Sequence, residues 1–233
     1  MSSTGRGQAR IADDVYPTPG WTVDRLLEGF PDLPGGLWVE PCVGSGAIVQ
    51  AVLRRRSDVT FHGLDIRNVR LDALIAGCKR FTQASFTTMK DERPAVVITN
   101  PPYTEALEVV QAGIGTGAWT VMLLRLNFLG SENRAEWLRA HPPDIGVLPN
   151  RPSFAASLKC DNKKLCGWKL MQSLDAPRAR QCPLCTGPVT CTTADSIEYG
   201  WFVWPPDARR ASGKLMVLAT TPEEDRQTKV RAA

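Results

Sequence analysis

Asn100-Pro101-Pro102-Tyr103 follows directly on the apolar run Val96-Val97-Ile98-Thr99. Each proline fixes φ and removes an N–H, so the corner is rigid and rich in acceptors. The side-chain oxygen of Asn100 and the carbonyl of Pro101 can then meet one amino group. Two acceptors on an exocyclic NH2 hold it and keep its lone pair out of ring conjugation, which makes the nitrogen a better nucleophile. Tyr103 adds a flat face on which a heterocyclic base stacks. A bare proline stop to a strand is the alternative, because Pro-Pro also follows His141 and Trp204. Neither of those pairs has Asn ahead of it or an aromatic behind it.

A second constellation lies upstream. Leu37-Trp38-Val39-Glu40 reads as a buried strand that runs into Pro41-Cys42-Val43-Gly44-Ser45-Gly46 and then a helix. Gly44 and Gly46 allow a tight turn and a close backbone approach to a ligand. Free N–H groups of the following helix aim at that ligand. The next strand ends in Asp65, placed to take both hydroxyls of a ribose as in dinucleotide folds. A phosphate would be repelled by Glu40, whereas an uncharged ribose or a cationic amino-acid end would not. A tight strand-to-helix turn without a ligand is the plainer alternative.

Five of the seven cysteines cluster: Cys160, Cys166, Cys182, Cys185 and Cys191. Cys182-x2-Cys185 is a half-site for tetrahedral zinc, Cys160-x5-Cys166 supplies a looser one, and Cys191 is a spare or replacement ligand. The small residue in Cys182-Pro-Leu-Cys-Thr-Gly187 stands where a zinc knuckle turns back. Free or buried thiols are the alternative, but a polar segment with little core needs a staple. From 158 to 192, Lys159, Lys163, Lys164, Lys169, Arg178 and Arg180 stand against Asp161 and Asp175. That surplus equals the +4 of the whole chain, so the basic character sits there.

The elements that must position these groups alternate in type. Helices are expected at 21–30, 47–56 (with Arg54–Arg56 in its last turn), around 68–77, at 104–114 and at 131–140 with Ser131 as N-cap. Strands are expected at 37–40, 59–65, 95–99, 118–126, 198–204 and 213–220, with an edge-like segment near 145–154. The order argues for an α/β sheet with parallel pairing in its first half. His62 reads as structural, and Trp201, Phe202 and Trp204 as packing residues.

These motifs together resemble the amino-group DNA methyltransferases of the adenine-N6 kind, in their small phage-type form. Asn100-Pro101-Pro102-Tyr103 matches that family's catalytic motif, Glu40 to Gly46 its cofactor loop and Asp65 its ribose acid. Tyr16-Pro17-Thr18-Pro19 resembles the segment that touches the methionine end of the cofactor. Arg151 to Phe154 and Asp195 to Trp204 resemble late elements. The resemblance implies a Rossmann-like class I methyltransferase sheet, S-adenosylmethionine as cofactor and DNA as partner, with the adenine flipped out of the duplex. It assigns catalysis to Asn100, Pro101, Pro102 and Tyr103. It assigns cofactor binding to Tyr16, Thr18, Pro19, Glu40, Pro41, Gly44, Gly46, Asp65 and Asn100. Family members often carry an acid near the third strand that faces the cofactor adenine; here the stretch from Thr82 to Lys90 holds none before Asp91, and Phe86 is left to stack on it. RNA adenine, cytosine N4 and a protein glutamine amide remain open as substrates, as does a non-catalytic nucleic-acid-binding role.

The expected organisation is a tail at 1–14, a methyltransferase domain at 15–157 plus 193–221, a zinc-binding insertion at 158–192 and a tail at 222–233. In the insertion, Lys163, Lys164, Lys169, Arg178 and Arg180 would contact DNA phosphates. Phe154 either flanks the flipped base or packs. The chain has 233 residues, enough for one α/β domain with an appendage. No apolar run is long enough for a membrane span and the N-terminus has no signal-type apolar segment, which points to the bacterial or phage-infected cytoplasm. The expected state is a monomer or weak dimer.

Overall fold

The structure is a computed structural model that describes residues 17–67, 78–88, 93–162, 166, 168–173, 181–192, 197–206 and 213–226. Its first half alternates α1 (Gly20–Gly29), β1 (Gly36–Glu40), α2 (Ala47–Leu53), β2 (Val59–Asp65), β3 (Cys78–Gln83), β4 (Val96–Thr99), α3 (Ala106–Gly115) and β5 (Trp119–Arg125). The second half continues with α4 (Glu132–Ala140), β6 (Asp144–Val147), β7 (Ala155–Cys160), β8 (Lys169–Ser173), β9 (Val189–Thr192), β10 (Tyr199–Trp204), β11 (Leu215–Val217) and α5 (Glu223–Arg226). Among these described residues no helix is long and apolar enough to cross a membrane.

Eight strands form one sheet in the order β11-β6-β10-β5-β4-β1-β2-β3. Neighbours from β3 to β5 pair in parallel, β10 alone runs against its neighbours, and β11 is parallel to β6. This is the expected Rossmann-like α/β sheet. Strand order reverses between β1 and β4, and in such sheets the crevice beyond the carboxyl ends at that point holds ligands.

Alternating residues divide the core into two layers, one on each face. Trp38, Ile98, Leu123 and Trp201 pack on the side of α1 and α2. Val39, Val97, Met122 and Phe202 pack with Val109 and Val110 of α3 on the other. Both faces are therefore covered, which is why the strands read as continuous apolar runs rather than alternating ones. The Trp201 indole N–H donates to the Thr22 carbonyl at 2.7 Å, tying β10 to α1.

Some expectations need correction. The edge strand β3 was not foreseen, because Cys78-Lys79-Arg80-Phe81-Thr82-Gln83 is polar and largely exposed. Helix α2 ends at Leu53, so Arg54–Arg56 lie beyond it. There Arg56 grips Asp58 with two bonds of 2.7 Å and reaches the Leu33 carbonyl. Ser131 is the N-cap of α4 by position, yet its side chain makes no capping hydrogen bond. The second sheet begins at Ala155, ahead of the expected insertion boundary, and Glu223–Arg226 forms a short helix in the expected tail. The helix expected around 68–77, the tail at 1–14 and Asp91 lie outside the described residues.

His62 on β2 is buried and bonds Thr82 at 2.9 Å and Arg80 on β3. Burial, with Arg80 beside it, pushes its pKa down to about 4. An unfolded histidine titrates near 6.5, so between these values the unfolded chain binds the extra proton. This contribution should be fully present above about pH 6.5 and be lost as the pH falls to about 4. Urea unfolding across that range should show the step in the native chain, and His62→Gln should flatten it.

Candidate active site

The sheet's reversal point opens into a cavity of about 460 Å³. Its wall includes the loop after β1, the end of β2, Phe86 in the short 3-10 turn after β3, and the corner after β4. Pro17 and Thr18, just ahead of α1, close it from the side. Thus Thr18, Glu40, Pro41, Gly44, Asp65, Asn100, Pro101, Pro102 and Tyr103 meet at one cavity, as the motifs predict. Pro19 and Gly46 stand behind the wall as N-cap residues of α1 and α2. Tyr16 lies outside the described residues.

The glycine corner needs glycine. Gly44 and Gly46 have φ of 50° and 73°, in the left-handed region that side chains resist. The Gly44 N–H donates to Asp65 Oδ2 at 3.0 Å and so joins this loop to the end of β2.

The cavity's two buried carboxylates are in opposite states. Asp65 is 3% exposed. It accepts from the Gly44 N–H, from the Arg67 N–H at 3.0 Å, and from Arg67 Nε and Nη2 at 2.8 and 2.9 Å. Burial pushes its pKa up, but the Arg67 side chain and the N–H groups of Arg67 and Gly44 outweigh this and hold it below the usual value. These donors use the carboxylate's four lone-pair positions. Arg67 was missed from sequence, although an arginine two residues beyond a strand-end acid is a readable signal. Ribose hydroxyls can reach Asp65 when the Arg67 side chain yields its place.

Glu40 is 2% exposed, and its Oε2 has no hydrogen-bond partner. Burial raises its pKa well above the ordinary value, the Val49 N–H opposes this, and Asp65 adds to it. A buried carboxyl with one oxygen unspent, in a ligand-sized cavity, suits a cationic ammonium group. Cys42 also lines the cavity, but burial pushes its thiol up to about 12, so it is no nucleophile at neutral pH.

At the other end stands the corner after β4. Asn100 Nδ2 donates to Thr18 Oγ1 at 3.2 Å, which turns the Asn100 side-chain oxygen away from Thr18. The Pro102 carbonyl is taken by the Glu105 N–H at 3.0 Å, which fixes the turn into α3. Tyr103 and Tyr199 join through their hydroxyls at 3.0 Å, and Arg125 Nε donates to the Tyr199 hydroxyl at 3.3 Å. The Arg125 guanidinium lies 3.9 Å from the Tyr103 ring centroid. It occupies one face of that ring. Phe154 is 4% exposed and meets Tyr199 edge-on at 5.0 Å, so of its two readings the structure displays packing.

A second cluster lies in the small sheet, ordered β8-β7-β9 and antiparallel throughout. The sulfurs of Cys160, Cys166, Cys182 and Cys185 all lie within 4.8 Å of one another. Cys160–Cys185 and Cys166–Cys182 are 3.4 and 3.5 Å apart. A tetrahedral zinc with bonds of about 2.3 Å sets sulfurs about 3.8 Å apart, so the group fits one ion. Thr186, not Gly187, takes the left-handed conformation in the knuckle, at φ 56°. A Cβ at Gly187 would make only an ordinary contact, 3.4 Å from Cys185 Sγ. Lys169 and Cys191 lie on β8 and β9, whereas Lys163, Lys164, Arg178 and Arg180 are outside the described residues.

The sequence matches no protein-family profile and no curated protein. Solved structures similar to it include a candidate hemolysin from Lactococcus lactis, at TM-score 0.50 and 9% identity over 87% of this chain and 94% of that one. Another is a precorrin-6y C5,15-methyltransferase from Geobacter metallireducens GS-15, at TM-score 0.43 and 13% identity over 84% and 96%. A third is TrmN from Thermus thermophilus, at TM-score 0.41 and 17% identity over 78% and 47%. At such identities the likeness is one of fold.

A ligand that brings an ammonium to Glu40 should pull its raised pKa back down. Calorimetry of S-adenosylhomocysteine binding over a pH series, in buffers of different ionisation heat, should show proton release by the native chain that fades as the pH rises past the point where free Glu40 ionises. Glu40→Gln should abolish the release and weaken binding by about tenfold, the scale of one charge-assisted hydrogen bond.

Proposed function

We propose that this chain transfers a methyl group from S-adenosylmethionine to the N6 amino group of adenine in DNA. The observation that carries this is the Thr18–Asn100 hydrogen bond at 3.2 Å on the wall of the cavity. It engages one Asn100 amide hydrogen with the protein and leaves the amide oxygen for an amino-group donor.

The chain's own residues then have distinct tasks. Asn100 Oδ1 and the Pro101 carbonyl each accept one hydrogen of the base's amino group, which holds the nitrogen and frees its lone pair. Tyr103 offers its ring for the base to stack on. Glu40 holds the cofactor's ammonium, the N–H groups of the glycine corner face its polar parts, and Asp65 receives its ribose once Arg67 moves. Phe86 packs on its adenine. The bound cofactor supplies an electrophilic methyl on a sulfonium. When N6 takes that methyl, the carbon–sulfur bond breaks and one N6 proton leaves to solvent. Catalysis is mainly positioning.

Charge agrees with this division. Among the described residues, Glu40, Asp65, Glu105 and Glu108 line the cavity against one basic side chain, Arg67. Such a wall accepts a sulfonium and repels phosphates, so the nucleic-acid backbone stays outside and only a neutral base enters. The basic surplus of the 158–192 segment offers that backbone a partner, which favours nucleic acid over a protein amide.

Transfer from methyl-tritiated cofactor to DNA, RNA and protein in parallel should label DNA. Asn100→Ala should lower kcat by about a hundredfold or more, as misplacement of a reacting group does. Thr18→Val should lower kcat by about tenfold, the worth of one hydrogen bond, with KM for DNA little changed. Full activity in Asn100→Ala would overturn the assigned site.

A further inference from the structure

The cysteine cluster and the tyrosine wall are joined through the chain itself. After β6 the backbone passes Arg151 and Phe154 and enters β7 at Ala155. It comes back after β9 through Glu198 and enters β10 at Tyr199. The two crossing segments are clamped together: Arg151 Nη2 and Nε donate to Glu198 Oε1 at 2.6 and 3.1 Å. One step inward, Phe154 meets Tyr199 edge-on at 5.0 Å, and Tyr199 bonds Tyr103 at 3.0 Å. Both ends of the small lobe are therefore rooted in the wall that faces the incoming base. They are not rooted at Glu40 and Asp65.

The lobe has little to hold it together otherwise. Among the described residues, its interior is the four cysteines with Trp168 and Val189 packed against them. The Leu184 N–H points at Cys182 Sγ at 3.4 Å, and the Cys182 N–H and carbonyl bond Gly187 and Thr186. These bonds shape a knuckle around one sulfur. Two such half-sites, from Cys160/Cys166 and Cys182/Cys185, bring four sulfurs to one point. A few residues of apolar core cannot offset the entropy of ordering such a lobe, whereas a metal can.

We propose that Cys160, Cys166, Cys182 and Cys185 bind one Zn²⁺ as four thiolates, and that this ion holds the β7–β8–β9 lobe as the arm that grips DNA beside Tyr103. The second half rests on the reading of the cavity given above. Binding releases the four thiol protons and leaves a metal centre of charge −2. The lobe's lysines and arginines exceed its acids by four and outweigh this centre, so the arm stays basic. Its contacts are with phosphates, which set orientation and make affinity fall with salt. Zinc thus governs polymer binding and leaves the cofactor end of the cavity alone.

The test uses the full chain as purified. Elemental analysis should find one zinc per chain, and Co²⁺ exchanged into the site should give the absorption of a tetrahedral thiolate complex. The double variant Cys182→Ser/Cys185→Ser and the chelator-stripped native chain should both lack the metal. Both should bind tritiated S-adenosylmethionine within about twofold of the native chain, which also reports that the main sheet is folded. Their affinity for a labelled DNA duplex should fall by at least about tenfold at low salt, as the loss of a few phosphate contacts requires. Iron in place of zinc, or no metal together with four thiols that alkylate freely in the native state, would overturn the metal site. Unchanged duplex binding after zinc removal, or loss confined to an RNA probe, would overturn the arm. Stoichiometric zinc in a chain that never binds S-adenosylmethionine would overturn the proposed function and leave the metal site standing.

Discussion

The site depends on one hydrogen bond across the crevice, from Asn100 to Thr18. It links the corner after β4 to the segment ahead of α1, and it is possible because α1 is itself held down. Trp21, Val23 and Leu26 are buried in the core against α2, and Trp201 reaches from β10 to the Thr22 carbonyl. The rotation of a single amide therefore inherits its order from the core. An asparagine free to flip would present its NH2 to an amino group as often as its oxygen, and two donors do not bind each other.

Around that bond the cavity separates two electrostatic tasks. Asp65 is held ionised by Arg67 and Gly44, and it fastens the glycine corner to β2 before any ligand arrives. Glu40 is buried without such help, so its carboxyl favours the protonated form. An arriving cation recovers the cost of that burial, which makes Glu40 a selector for positive charge. Arg125 does comparable work for Tyr103: it covers one ring face and steadies Tyr199 behind it.

Much of this was legible in sequence, for a physical reason. The Asn-Pro-Pro-Tyr corner and the Gly-Ser-Gly turn work through their own backbones, and short-range backbone constraints are written in adjacent residues. The apolar run Tyr199–Trp204 revealed a packed strand, and the cysteine spacing revealed two half-sites. What stayed hidden depends on tertiary contact. Thr18 and Asn100 are 82 residues apart, and Tyr103 and Tyr199 are 96 apart. Strand β3 escaped notice because an exposed edge strand need carry no apolar alternation. Arg67 stands two residues beyond its partner Asp65, but that pairing is set by the chain's turn after β2 rather than by any apolar pattern.

The central claim concerns one nitrogen on one polymer. It is tested most directly by digesting DNA from a methylation-free bacterial host that expresses the chain and separating the nucleosides by mass spectrometry. The account predicts N6-methyldeoxyadenosine in that DNA and none when the chain carries Asn100→Ala. N4-methyldeoxycytidine in its place, or DNA free of methylated nucleosides alongside methylated RNA or protein glutamine, would contradict it.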